Sequence, residues 1–412
     1  MAQTKYRKDP TGKFGGKQVT HKADTAPLYP GKLEVKQIIQ GSQSGDCYLL
    51  SAINSILALP GGENFIRQRM VEKDGEVHVL LFDDSYKPHW IAIDKSLPTS
   101  PGVLSSGATW VRYLEKAYTA FHSGDYNQTL KSGKTTQALQ TFLGRSTDSL
   151  SLPYQSKSTL ADLYTKSIAG CSGQDVYTLI FLLRPMTNPA TMQNIVKHVF
   201  NDNSALLADW WAWVKPNKKD WEKLLKTHPL TIEAFQAHLN KMQQKNPETC
   251  PKEAIQAVVT WLNTNKILPS RKSYGYEEEH LFSELKNAME HDQPVVADPK
   301  NMPSKGIIPE HSYAIVGIRE NPVTGKKFIV LRNPFPEDRS LISHFFLSGG
   351  RHTSETIDPK TGESKLKFST TKNSTFEMEL RDFTESFAYI DKGRSLEHVE
   401  FTPEQNETPT PN

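Results

Sequence analysis

Apolar and polar positions alternate along this chain in three ways, and each predicts a different kind of structure. Residues 46–59, DCYLLSAINSILAL, carry apolar side chains round most of a helical circumference, which predicts a buried helix. Asp46 stands where an N-cap belongs, and Pro60-Gly61-Gly62 supplies the stop. Two short β-type runs follow, EVHVLLF and HWIAIDK, ending at Leu97-Pro98-Thr99, and then a second helix near 109–122, TWVRYLEKAYTAFH. Between 151 and 270 the pattern is helical: TMQNIVKHVF, WEKLLK, TIEAFQAHLNKMQQK and AIQAVVTWL succeed one another with short polar breaks. After Tyr274 one amphipathic helix, LFSELKNAMEH, leads into strands VVADP, SYAIVGI, KFIVLRNP and STFEMEL, a mostly β region. No internal repeat is present.

At 412 residues the chain exceeds the roughly 250–300 residues at which a single core stops growing, so two lobes are expected. The pattern divides it into a first lobe at 33–150, a helical segment at 151–270 and a β-rich lobe at 271–392. Residues 1–32, with Lys5, Arg7, Lys8, Lys13, Lys17 and Lys22 among Gly, Thr and Pro, read as a flexible basic tail. Residues 393–412, with hardly a core-forming side chain, read as a disordered one.

A formal net charge of +3 gives no sign of a nucleic-acid partner. No window approaches the ~18 apolar residues of a membrane span, and no apolar stretch near the start resembles a secretory signal, so the cytoplasm is the expected compartment. Three widely spaced cysteines, Cys47, Cys171 and Cys250, frame neither disulfides nor a zinc site. Cys171 and Cys250 read as small buried hydrophobes.

Cys47 differs by position. It is the first residue after a Gly-Asp pair that opens an apolar helix, where unpaired backbone N–H groups and the helix dipole favour the thiolate. Its own N–H can face the oxygen of an attacked carbonyl. The preceding loop, Gln40-Gly41-Ser42-Gln43-Ser44-Gly45, offers two carboxamides as the second donor of an oxyanion hole, Gln40 or Gln43.

A base is found at His311, which opens SYAIVGI. That strand runs into the turn Glu320-Asn321-Pro322-Val323-Thr324-Gly325, and KFIVLR returns to Asn333. The midpoint of positions 311 and 333 falls at Pro322, so a regular hairpin places the two directly opposite, within reach of an imidazole-to-amide bond. Cys, His and Asn together suit nucleophilic acyl chemistry: imidazole takes the thiol proton, and Asn fixes the ring.

These residues resemble the calpain family of papain-like cysteine peptidases. QGSQSGDCYLLSAINSI is similar to the Gln-Gly-x-x-Gly-Asp-Cys-Trp-Leu-Leu motif of that family, HSYAIVGI to its His segment and VLRNPFPE to its Arg-Asn-Pro-Trp-Gly segment. Weaker echoes, HWIAIDKSLPTS, TWVRYLEKAYTAFHSGDY, TTQALQTFLG, LFSELKNAMEHDQPVVA and STFEMELRDFTESFAYID, keep the family's order over about 37–150 and 275–392. The resemblance implies an α+β, two-lobed fold, with Cys47 on a helix of the first lobe and His311 and Asn333 on the antiparallel β second lobe. It favours Gln40 over Gln43 as oxyanion donor, because Gly41 follows Gln40, although the loop is one residue longer than the family's. Tyr48 replaces a Trp, and Phe335 replaces the Trp that shields the His–Asn bond, with Pro336 after it in place of Gly. The 264 positions from Cys47 to His311 exceed the family's spacing, which marks 151–270 as an insertion; it carries Trp210, Trp211, Trp213, Trp221 and Trp261, expected to be core residues.

The resemblance implies a cysteine endopeptidase acting on protein substrates through a thioester, with no cofactor in the chemistry. Other acyl transfer on the same triad, such as removal of a ubiquitin-like tail, stays open, as does an inactive scaffold that binds a partner. The 151–270 insertion is a candidate docking surface for substrate or partner. Calcium is a regulator in animal members; no EF-hand pattern occurs here, and no metal ligands are assigned. A basic head and a polar, Glu-containing tail also suit a bacterial effector delivered into a host cell.

Overall fold

The computed structural model describes residues 3–6, 9–14, 17–152, 182–183, 189–225, 231–245, 247–265, 268, 273–335, 350–359, 364–371 and 373–396. It separates into two compact units: residues 1–150 with 285–412, and residues 151–284. Cys171 lies outside the described residues.

The first unit contains α-helices and mostly antiparallel sheet, an α+β composition. Its early strands are β1 (Gln3–Tyr6), β2 (Lys13–Phe14), β3 (Lys17–Gln18), β4 (His21–Ala23), β5 (Met70–Lys73), β6 (Glu76–Phe82), β7 (Pro88–Asp94), β8 (Ser96–Pro98) and β9 (Asp148–Ser151). Its early helices are α1 (Cys47–Leu57), α2 (Gly62–Arg69), α3 (Thr109–His122), α4 (Tyr126–Thr129) and α5 (Thr135–Leu143). As the apolar circumference predicts, every residue of α1 after Cys47 is buried. Leu49, Leu50, Ile53 and Ile56 share one core with Trp110, Tyr113 and Tyr118 of α3, Leu139 of α5 and the buried strands β6 and β7.

The expected basic tail is corrected here. Phe14, Val19 and Leu28 are core residues, and β4 pairs antiparallel with β8. The buried Lys116 ammonium binds Asp9 Oδ1 at 2.6 Å, and Ser96 Oγ donates to Asp9 Oδ2 at 2.8 Å. Polar composition suggested a free segment, but a few well-spaced apolar side chains and one buried cation suffice to dock it.

The second unit holds α6 (Pro189–Val199), α7 (Ser204–Val214), α8 (Lys218–Leu225), α9 (Ile232–Lys245) and α10 (Lys252–Thr264), and α11 (Tyr276–Glu290) starts in it. Its core gathers Trp210, Trp213 and Trp221 at ring separations of 5.7–5.8 Å, with Phe235, Leu239, Val258 and Trp261. Trp211 and Cys250 are only partly buried against this core. Helix α7, SALLADWWAWV, carries no clear helical stripe in sequence because nearly all its positions are apolar; Asn203 caps it by accepting from the Ala205 N–H.

The C-terminal part of the first unit adds β10 (Val295–Pro299), β11 (Tyr313–Glu320), β12 (Lys327–Arg332), β13 (Gly350–Ile357), β14 (Ser364–Thr371), β15 (Thr375–Glu379), α12 (Leu380–Ser386) and β16 (Phe387–Lys392). Six strands form one sheet in the order β15-β12-β11-β10-β16-β9. The β13–β14 ribbon, mostly exposed and polar, has no apolar alternation for sequence reading to find. The expected C-terminal tail begins later than position 393: the Gly393 N–H bonds the Pro294 carbonyl and Leu396 is buried, while 397–412 lie outside the described residues. No helix among the described residues is long and apolar enough to cross a membrane.

Candidate active site

The loop ahead of α1 is held on both sides by backbone bonds. The Gln43 N–H donates to the Gly102 carbonyl at 3.1 Å and the Gly45 N–H to the Leu130 carbonyl at 2.6 Å. A Cβ on Gly45 would run into the carbonyl oxygen of Lys131, so close backbone approach explains the glycine before Asp46. Asp46 occupies the N-cap position, but its side chain caps nothing, contrary to expectation. The carboxyl is fully buried beside that of Glu115, also fully buried, which accepts from the Ser105 N–H at 2.9 and 3.0 Å. Burial pushes both carboxyls up; the Asp46 charge adds to the rise at Glu115, which stands well above the usual carboxylate range, whereas at Asp46 the contact with Glu115 opposes it.

Cys47 is half-buried at the first position of α1. Burial pushes its thiol up to about 11, against the Ser312 backbone N–H, which favours the thiolate; the Asp46 and Asp298 charges push it further up. Sequence reasoning expected the helix start to favour the thiolate, but at this depth desolvation outweighs it. Tyr48, in the Trp position, sends its hydroxyl to the Thr129 carbonyl at 2.7 Å and closes the space over Gly133.

His311 precedes β11 and follows Glu310, whose φ of 53° turns the chain into the strand. Asn333 directly follows β12. The hairpin register pairs Ala314 with Arg332 and Ile315 with Leu331, then shifts by one at a bulge between Ile315 and Gly317. The turn end pairs Glu320 with Lys327, a register centred beyond Pro322, and the bulge gives back only one position, so position 311 is not directly opposite 333; the two side chains meet diagonally instead. His311 Nε2 lies 2.8 Å from Asn333 Oδ1, and both residues are buried. The Phe335 ring stacks on His311 at 4.2 Å and 21°, and Tyr313 meets it edge-on at 5.1 Å.

The protonation of the ring follows from one further bond. The Phe335 N–H donates to Asn333 Oδ1 at 2.9 Å, and a backbone N–H can only donate, so that amide atom is the oxygen. His311 Nε2 must then carry the proton it shares with Oδ1. Burial holds the imidazole down at about 4 despite the Asn333 bond, so the ring is neutral and Nδ1 keeps a lone pair.

Backbone contacts draw the segments together. The Gln40 N–H donates to the Pro334 carbonyl at 2.8 Å, beside Asn333. Ser51 Oγ of α1 donates to the Ser312 carbonyl at 2.8 Å, one residue from His311. Arg332 binds Ser374 Oγ and sends Nη2 to the Val35 carbonyl at 3.3 Å, tying the Asn333 segment to the chain leading to Gln40. Gln40 is buried, with Nε2 donating to the Ser44 carbonyl at 2.9 Å. Gln43 is exposed, and its amide goes to the Pro101 carbonyl at 3.2 Å. Gln40, Cys47, His311, Asn333 and Phe335 thus converge, and Gln43 does not.

A model of the calpain family cysteine proteases matches residues 16–245, more than half of the sequence. The chain belongs to the calpain family of cysteine proteases. The match includes Cys47 and both glutamines of its loop but ends before His311, so His311 and Asn333 rest on their motif and geometry. No curated protein matches the chain.

Sequence reasoning passed over Ser312, Asp298 and Glu115, because nothing in their local pattern separates them from ordinary strand and helix residues. Arg332 lay inside a quoted motif without an assigned role. Among the described residues, no group of three or more His, Cys, Asp or Glu side chains could hold a metal ion.

Proposed function

We propose that this calpain-family chain is an endopeptidase that hydrolyses protein substrates with Cys47 as nucleophile, His311 as base and Asn333 as the group that orients the base. The observation that carries the reading is the bond pattern at Asn333 Oδ1. With Nε2 committed to Asn333, Nδ1 is left as the acceptor for the thiol proton. In the step envisaged, Sγ attacks the peptide carbonyl carbon while its proton passes to Nδ1. The oxyanion accepts from the Cys47 backbone N–H and from the Gln40 Nε2–H not used by Ser44. Nδ1–H then protonates the leaving amine as the C–N bond breaks, a thioester remains, and water attacking with Nδ1 as base releases the acid and the thiol.

The same reading assigns residues 33–150 and 271–392 to the two lobes of a papain-like core. It makes 151–270 an inserted helical subdomain and a candidate docking surface for substrate or partner, with Phe335 as the shield over the His–Asn bond. The decisive test incubates wild type and Cys47→Ala with a denatured protein and a thiol-reactive peptide probe, with calcium and with a chelator. Cleavage and labelling are expected from wild type alone. Persistence of either in Cys47→Ala would show that the nucleophile is elsewhere.

A further inference from the structure

Behind the thiol lies a second polar cluster to which the proposed chemistry gives no role. Ser312, next to His311, turns its backbone N–H to the Cys47 sulfur, and its hydroxyl donates to Asp298 Oδ1 at 2.5 Å. Asp298 Oδ2 lies 3.2 Å from Thr135 Oγ1. The same threonine hydroxyl makes a short bond to Asp391 Oδ2, and Asp391 Oδ1 accepts a short bond from Ser149.

Proton counting decides how this chain is filled. A threonine hydroxyl has one proton to give, and the shorter contact assigns it to Asp391. Asp298 Oδ2 and Thr135 Oγ1 would then oppose lone pairs, unless Oδ2 itself carries a proton and donates it to the threonine. With that one proton, Ser312, Asp298, Thr135, Asp391 and Ser149 form a complete chain; without it, two carboxylates stand one hydroxyl apart. Among the described residues, no lysine or arginine forms an ion pair with either carboxylate. The titratable groups facing Asp298 are Asp391 and Tyr389 from β16 and Cys47 from α1, none of them a cation.

We infer that Asp298 is a positioning residue for the Cys47 nucleophile. Neutral, it completes the chain that holds Ser312 against the sulfur; ionised, it places a negative charge beside the thiol and keeps it protonated. Burial raises the Asp298 carboxyl to about 6, with Asp391 adding to the rise and the Ser312 hydroxyl opposing it. The switch between the two forms therefore falls near pH 6. The inference rests on the peptidase reading for its meaning, but its test does not require turnover.

The test measures iodoacetamide alkylation of Cys47 in the native full chain from pH 5 to 9, read on the Cys47 peptide by mass spectrometry. In wild type the logarithm of the rate should rise less steeply on crossing pH about 6. Asp298→Asn can keep both hydrogen bonds but not the charge; it should lose that bend and react roughly three- to tenfold faster at pH 8, a thiol shift of about half to one unit. Asp391→Asn should move the bend to lower pH, because one of the two effects raising Asp298 is gone. An Asp298→Asn profile that overlays wild type overturns the inference. If that variant does not fold, a bend left in place by Asp391→Asn overturns it instead. Hydrolysis surviving in Cys47→Ala would strike the peptidase reading and leave this coupling measurable.

Discussion

Removing the Asn333 side chain separates orientation of the base from proton transfer by the base. Asn333→Ala deletes the acceptor of two bonds, from His311 Nε2 at 2.8 Å and from the Phe335 N–H at 2.9 Å. At rest the His311 bond is neutral and contributes about 0.5–1.5 kcal/mol. In the transition state the ring gains a proton, and a bond to a charged donor contributes about 1.5–3 kcal/mol. The difference, about 1–1.5 kcal/mol, corresponds at ~1.4 kcal/mol per factor of ten to a roughly five- to tenfold lower kcat with little change in KM. His311→Ala removes the acid and base themselves and should cost at least ~10⁴-fold. Because His311 and Asn333 are both buried, Asn333→Ala also leaves two donors unsatisfied, and unfolding should become easier by about 2–4 kcal/mol. The assay is steady-state cleavage of a fluorogenic peptide or denatured protein below the melting temperature of the weakest variant, with circular dichroism confirming the fold. Asn333→Asp gives the opposite sign for the base: a carboxylate beside Nε2 raises the imidazole pKa, so the acid limb of the pH–rate profile should move up. A kcat for Asn333→Ala within twofold of wild type, or as low as that of His311→Ala, would refute the division of labour.

Gln40→Ala should lower kcat by ~10²–10³, while Gln43→Ala should stay near wild type; equal losses would mean the wrong carboxamide faces the oxyanion. Burial holds His311 at about 4 against an ordinary 6.5, so between these values the unfolded chain binds a proton that the folded one refuses. Stability from this source is present above pH about 6.5 and is lost as pH falls towards 4, by about 3 kcal/mol; urea unfolding at pH 4.5 and 7.5 should show His311→Gln losing less than wild type, and identical losses would count against the assignment. Gly45→Ala, by driving a Cβ into the Lys131 carbonyl, should destabilise by about 1–3 kcal/mol, read as a lower urea midpoint; an unchanged midpoint would show that the loop yields without cost.

Periodicity alone located most of what positions this site. The apolar circumference of 46–59 gave α1 within two residues at either end, the alternation after position 76 gave β6 and β7, and the pattern at 109–122 gave α3 at its observed bounds. Local chemistry also marked Cys47, His311 and Asn333, because residue type and position relative to element ends are properties of the chain. What sequence could not supply depends on contacts between distant segments. The turn register is centred beyond Pro322 and a bulge gives back one position, which leaves the His–Asn pair diagonal rather than directly opposed; no single-strand pattern encodes either feature. Burial depth reversed the expected readiness of the Cys47 thiol, since desolvation is set by everything packed around a group and not by its place on a helix. The Asp46–Glu115 and Asp298–Thr135–Asp391 assemblies join residues up to 256 positions apart. Folding takes those carboxyls out of water together, and that burial is what raises Asp46, Glu115 and Asp298.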